Sequence, residues 1–237
     1  MEEKAIKPLG IKNYGSIGHL PNSRMGPSDH HVHAGQAEIC TVKARDKHDE
    51  IIVTEKLDGS NCGVAWVGDN IVALGRAGYL AETSKYEQHQ MFAKWVYDNR
   101  LWFKTLLNPG ERCVGEWMAQ AHGTRYNLPH EPFVIFDIMR GHERDPWEEV
   151  VRRCAHEGFI TPRVLHSGSP FSVEQALVAL TVSGHGAIDP VEGAVWRVER
   201  KGKFDFMAKY VRPDKVDGAY LPEQTGGEAI WNWRPSI

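Results

Sequence analysis

The segment Glu55-Lys56-Leu57-Asp58-Gly59-Ser60-Asn61 sets a lysine two residues before an aspartate and two residues after the end of the β-branched run Ile51-Ile52-Val53-Thr54. A lysine attacks phosphorus only as the neutral amine, so it needs surroundings that lower its pKa by desolvation or by nearby cations. An apolar strand ending in a tight Asp58-Gly59 turn supplies them, because it holds Lys56 at a rigid edge facing a cleft. The chemistry this spacing predicts is covalent attachment of a nucleotide to Lys56. Taken alone, the pattern fits an ordinary hairpin turn with a solvated lysine equally well.

Five further groups, spread over the next 150 or so residues, are of types that handle a nucleotide. Arg76 carries a guanidinium fork suited to oxyanions. Glu116, in Gly115-Glu116-Trp117, and Glu192, in Glu192-Gly193-Ala194-Val195, are carboxylates that accept from hydroxyls or ligate a hard cation. Phe136, in Phe136-Asp137-Ile138, offers a face for a purine, and Lys209 offers a charge for a phosphate. Singly, each has a bland reading: Phe136 as core, Glu192-Gly193 as a turn, Arg76 as surface. His30, His31 and His33 lack the partner spacing of a metal site and read as a loop.

In this order the residues resemble motifs I, III, IIIa, IV and V of the covalent nucleotidyltransferases, the superfamily of ATP-dependent DNA ligases, RNA ligases and capping enzymes. Within it, Glu55-Lys56-x-x-Gly59-Ser60-Asn61 with Arg76, and the upstream Lys12-Asn13-Tyr14-Gly15-Ser16-Ile17, are similar to the RNA ligase 2 group. The resemblance spans roughly residues 12–212. It implies an ATP-dependent RNA ligase that carries AMP on Lys56, uses Mg²⁺ or Mn²⁺, and joins RNA 3′-OH and 5′-phosphate ends. It implies catalytic roles for Lys56, Asp58, Asn61 and Lys209. Nucleotide contacts are implied for Glu55, Lys56, Arg76, Glu116, Phe136, Glu192 and Lys209, and metal contacts for Glu192 and Asp58.

Two departures stand out. Motif V commonly reads Lys-x-Lys, whereas the chain has Met207-Ala208-Lys209, which leaves one phosphate contact to Lys203 or Arg212. Little chain follows motif V, so neither the oligonucleotide-binding barrel of DNA ligases and capping enzymes nor a full accessory domain is expected, and a helper in trans would supply the rest. A compact DNA ligase is the first alternative, since Asp58 matches that group's motif I. The second is an end-binding protein that seals poorly.

These groups need strands to hold them. Strands are predicted over 51–54, 61–67, 71–74, 112–118, 132–139, 193–199 and 204–211, with Phe133-Val134-Ile135-Phe136 central. One or two helices are predicted over 85–107, one opened by Asp145 as cap with Pro146 in the first turn, and one capped by Ser172 and running to about Val182. Strands interleaved with helices through hairpin-type links predict an α+β nucleotidyltransferase domain of antiparallel sheets flanked by helices. Residues 21–38 and the tail 213–237 read as least structured, within a single domain 1–237.

At 237 residues, 41% hydrophobic and 25% charged, the chain is long enough to bury a large core. A net charge of −3 argues against coating nucleic acid indiscriminately, although Arg197 to Lys215 holds a local basic excess suited either to a phosphate track or to a solvated strand face. No apolar run is long enough to span a membrane, and Met1-Glu2-Glu3-Lys4 opens no secretory signal. Cys40, Cys62, Cys113 and Cys154 form no CxxC pair, so reduced thiols and a cytoplasmic protein are expected.

Overall fold

The β-branched run at 51–54 forms the middle of a long strand in the computed structural model, which describes residues 7–235. Met1-Glu2-Glu3-Lys4 lies outside them. In chain order the elements are β1 (Gly18–His19), α1 (Ala34–Thr41), β2 (Asp49–Lys56), β3 (Ser60–Val67), β4 (Asn70–Gly75), α2 (Glu87–Asp98), α3 (Arg100–Leu106) and β5 (Arg112–Trp117). There follow β6 (Phe133–Arg140), β7 (Glu143–Arg144), α4 (Trp147–Glu157), β8 (Val164–Gly168), α5 (Val173–Ala179), β9 (Gly193–Arg200), β10 (Lys203–Val211) and α6 (Pro222–Thr225). The predicted α+β architecture holds: all strand pairs but β1–β10 are antiparallel.

The chain divides into two units. Among the described residues the first comprises 7–15, Gly59–Ala119 and Glu131–Thr161; the second comprises Ser16–Asp58, Gln120–His130 and 162–235.

In the first unit the sheet order is β4-β3-β5-β6-β7. Phe92 and Trp95 of α2 pack on Trp117 and Phe133, which face the same side of neighbouring strands. The run at 133–136 was expected to be central. It belongs instead to a strand next to the edge, flanked by β5 and the two-residue β7, and its apolar content reflects burial on both faces. Asp145 was expected to cap α4, but Pro146 takes the cap position, and the Asp145 carboxylate instead accepts from Arg153 at 2.9 Å.

In the second unit the order is β1-β10-β9-β2-β8. Alternation puts Ile51, Val53, Ala194, Trp196, Val198, Ala208 and Tyr210 on one face, against Ala37 and Cys40 of α1 and Ala176 and Leu180 of α5. Ser172 caps α5 as expected, its Oγ accepting from Gln175 N at 3.2 Å, although the helix stops at Ala179.

Two expectations fail here. Residues 34–38 are helical in α1, and the 21–33 stretch is fastened by side chains such as Asp29. The tail is packed as well: Lys215 is buried, Ala121 N donates to Ile230 O at 2.9 Å, and Tyr126 N donates to Asn232 Oδ1 at 2.9 Å. Polar, glycine-rich composition hid these ties because hydrogen bonds hold the segments, not an apolar periodicity.

Candidate active site

Lys56 is the last residue of β2, a strand paired on both sides, so its backbone is fixed. Directly opposed residues of antiparallel strands share a face. The pairings Lys56–Gly193, Thr54–Val195 and Lys209–Val195 therefore put Lys56 and Lys209 on the face away from the apolar core. Lys56 Nζ lies 2.6 Å from Glu192 Oε2 and donates to Leu57 O at 3.4 Å. Burial pushes the Glu192 carboxyl above its ordinary range, against the pull of the Lys56 charge.

Lys209 is held below the ordinary lysine range, by burial first and by the Lys56 charge next, with Asp29 opposing from 3.4 Å. Asp29 in turn accepts from Gly26 N at 2.9 Å and lies 3.1 Å from His19 Nε2. Asp58 Oδ2 accepts from Gly123 N at 2.8 Å and from Lys215 Nζ at 2.6 Å, and Asp58 N donates to the Tyr126 hydroxyl. Burial raises the Asp58 carboxyl, but the Lys215 and Lys56 charges outweigh it and hold the group below its ordinary value. Glu55 alternates to the other face of β2, where its carboxylate accepts from Ser183 Oγ at 2.5 Å and Gly184 N at 2.8 Å.

The first unit gathers Asn61, Arg76, Glu116 and Phe136. Asn61 and Glu116 are register partners on β3 and β5. Glu116 Oε1 accepts from Gly59 N at 3.0 Å, and the buried Asn61 Oδ1 has no hydrogen-bond partner among the described residues. Phe136 is half-buried and meets the Tyr14 ring edge-on at 5.3 Å. The Tyr14 hydroxyl donates to buried Asp137 at 2.6 Å, and Arg144 pairs with the same carboxylate. Arg76 is exposed, and its Nη2 reaches Gly15 O at 3.5 Å. The bland alternative for Asp58-Gly59, an ordinary hairpin turn, fails because β2 and β3 belong to different sheets. Glycine is required at 59 because a Cβ there would come within 2.5 Å of Trp117 O.

Most of the basic stretch from Arg197 to Lys215 is engaged internally. Arg197 pairs with Glu199, Arg200 with Asp46 and Asp49, Lys209 with Asp29 and Lys215 with Asp58. Of the two candidates for the absent motif V lysine, Lys203 is exposed and Arg212 donates to Val191 O at 2.6 Å. Sequence reading missed Lys215, Thr124, Gly123, Tyr126 and Asp29. Nothing in local spacing marks a contact such as Lys215–Asp58, whose partners stand 157 positions apart.

Among the described residues no group of three or more His, Cys, Asp or Glu is arranged to hold a metal ion. A Mg²⁺ that keeps waters and binds through one or two carboxylates plus substrate phosphates needs no such cage, so the hard oxygens of buried Glu192 and half-buried Asp58 fit it.

The sheets and the lysine–carboxylate pairs define a nucleotidyltransferase fold of the ligase kind. The chain belongs to the RNA ligase family, whose model matches residues 49–211. Its fold is similar to that of Naegleria gruberi RNA ligase with PPi, at 21% identity and TM-score 0.55, covering 95% of this chain and 64% of that one. It is also similar to a lysine-to-alanine mutant of that ligase with ATP and Mn, at 16% identity and TM-score 0.53, covering 85% and 61%. The chain spans between 51% and 64% of the Naegleria gruberi ligase chains it matches. No curated protein matches it.

Proposed function

We propose that the protein is an ATP-dependent RNA ligase joining 3′-OH and 5′-phosphate ends, with residues 1–237 serving as one catalytic domain. The observation that carries this reading is the pairing of half-buried Lys56 with buried Glu192, 2.6 Å apart at the end of a doubly paired strand. Neutral Lys56 attacks the α-phosphorus of ATP; a nitrogen–phosphorus bond forms and the bond to pyrophosphate breaks. The adenylate then passes to an RNA 5′-phosphate, and a 3′-OH displaces AMP to seal the strand.

Lys209 steadies the α-phosphate, Asn61 lies near the reacting phosphate, and Asp58 assists later steps. Glu116 accepts from ribose hydroxyls, Phe136 stacks on the purine, and Arg76 bridges the ribose and the 5′-phosphate. Glu55 supports the nucleotide from behind, by fastening the Ser183–Gly184 loop. Glu192, with Asp58 as second donor, would hold Mg²⁺ or Mn²⁺, which when bound neutralises charge on the phosphates. A cytoplasmic setting and a helper acting in trans complete the proposal; the four cysteines are free and buried. No helix among the described residues is long and apolar enough to cross a membrane.

The test incubates the protein with Mg²⁺ and α-labelled ATP or GTP, then with nicked RNA and nicked DNA duplexes. Label from ATP, lost in Lys56→Ala, with RNA sealed in preference, is the expected result. Label from GTP, or labelling that survives Lys56→Ala, would overturn the reading. Preferential sealing of DNA would favour the compact DNA ligase that Asp58 also suits, and no label at all would leave an end-binding protein.

A further inference from the structure

Lys215 is only 4% exposed, in a stretch beyond the last family motif, yet its ammonium points into the same unit as the nucleophile. Nζ donates to Asp58 Oδ2 at 2.6 Å and to Thr124 Oγ1 at 2.5 Å. The approach is tailored: Gly123 N donates to the same Asp58 oxygen, and a Cβ at Gly123 would sit 2.9 Å from the Lys215 Cε. Asp58 stands two residues after Lys56 in the chain, and the charges of Lys56 and Lys215 both act on its carboxyl.

A count of charge shows what this arrangement does. Lys56 faces Glu192, Lys209 faces Asp29, and Lys215 faces Asp58, so three ammonium groups balance three carboxylates. Without Lys215, two carboxylates would compete for Lys56, and a net negative charge would remain where a polyphosphate must enter. Unpaired charge is costly where solvent is excluded.

We propose that Lys215 is a positioning residue for the adenylylation step: it pins and neutralises Asp58, so that Asp58 neither captures Lys56 nor repels the triphosphate. The inference rests on the ligase reading. Lys215 acts through Asp58 and not by contact with ATP.

A double-mutant cycle on the full-length protein tests it, with rates of lysine-AMP formation measured from α-labelled ATP over a range of ATP concentrations, and circular dichroism confirming that each variant is folded. Lys215→Met should slow the reaction about 30-fold beside a native Asp58, and by no more than about threefold in an Asp58→Asn background. Lys215→Arg, which keeps the charge, should recover most of the wild-type rate. Lys215→Met with Asp58→Asn removes both charges together and so remains informative if the single variant fails to fold. An equal loss in both backgrounds, or no recovery with arginine, overturns the proposal while leaving the ligase reading intact. A wild-type protein that forms no lysine-AMP overturns the ligase reading, and this inference with it.

Discussion

In the proposed adenylylation Lys56 must be neutral to attack, yet the group it touches is a carboxylate that favours its charged form. The resting pair is therefore a guarded state: the amine is held in place and must leave Glu192 before it reacts. Glu192→Ala removes both the guard and a hard-oxygen donor, and should slow metal-dependent lysine-AMP formation on the order of 100-fold in single-turnover assays. A rate within a factor of two or so of wild type would remove Glu192 from the site. Phe136 is half-buried beside Tyr14, which leaves a ring surface for a base. Stacking of a base on an aromatic contributes about 1–3 kcal/mol, so Phe136→Ala should raise the KM for ATP roughly tenfold or more, with a smaller change in kcat. These residues could be proposed from the sequence because their types are rare in combination and their order is fixed. Lys215 was not, since a lysine in a polar tail carries no local sign of burial.

At the scale of elements, the loop joining α5 to β9 carries a second buried polar device. His185 is 2% exposed; its Nε2 accepts from Arg163 N at 3.1 Å, and its Nδ1 lies 2.8 Å from His130 Nε2. An acceptor at Nε2 puts the proton on Nδ1, so the ring is neutral and donates to His130. Burial, with His130 and Arg163 adding to it, lowers the His185 pKa to about 4. The unfolded chain, at an ordinary 6.5, therefore binds the proton first as pH falls, and stability drops between pH 6.5 and 4 and levels off below that range. Between pH 7 and pH 5 this group alone should cost about 2 kcal/mol of unfolding free energy in urea melts. His185→Gln should flatten the profile by that amount; an unchanged slope would refute the assignment. Strand positions were readable from β-branched runs and alternation, whereas the cap at Pro146 and the place of β6 beside an edge depend on which strands come to pair.

For the whole molecule, the tail is the clearest departure from expectation. Composition marks 213–237 as loose, but its Lys215, Ile230 and Asn232 all bond to residues of the second unit. Deleting residues 213–237 should therefore lower the melting temperature by several degrees and slow lysine-AMP formation at least about 30-fold, because Asp58 loses its counter-charge. A truncated protein that melts and adenylylates like the full chain would show the tail to be dispensable. Nucleic-acid binding should also be measured against salt. With most of the 197–215 cations paired internally, the chain should release few counterions, and the slope of log K against log salt should be shallow, about −3 or weaker.

The amino-acid sequence by itself determined the chemistry on offer: a lysine at a strand end, carboxylates and an aromatic in ligase order, and strands patterned for antiparallel sheets. Side-chain type and short-range periodicity are local properties, so they can be read along the chain. Tertiary structure alone decided which charges face each other, because Lys56 meets Glu192 across 136 positions and Asp58 meets Lys215 across 157. Ion pairs depend on distance in space and on the exclusion of water, and neither is written in the spacing of residues.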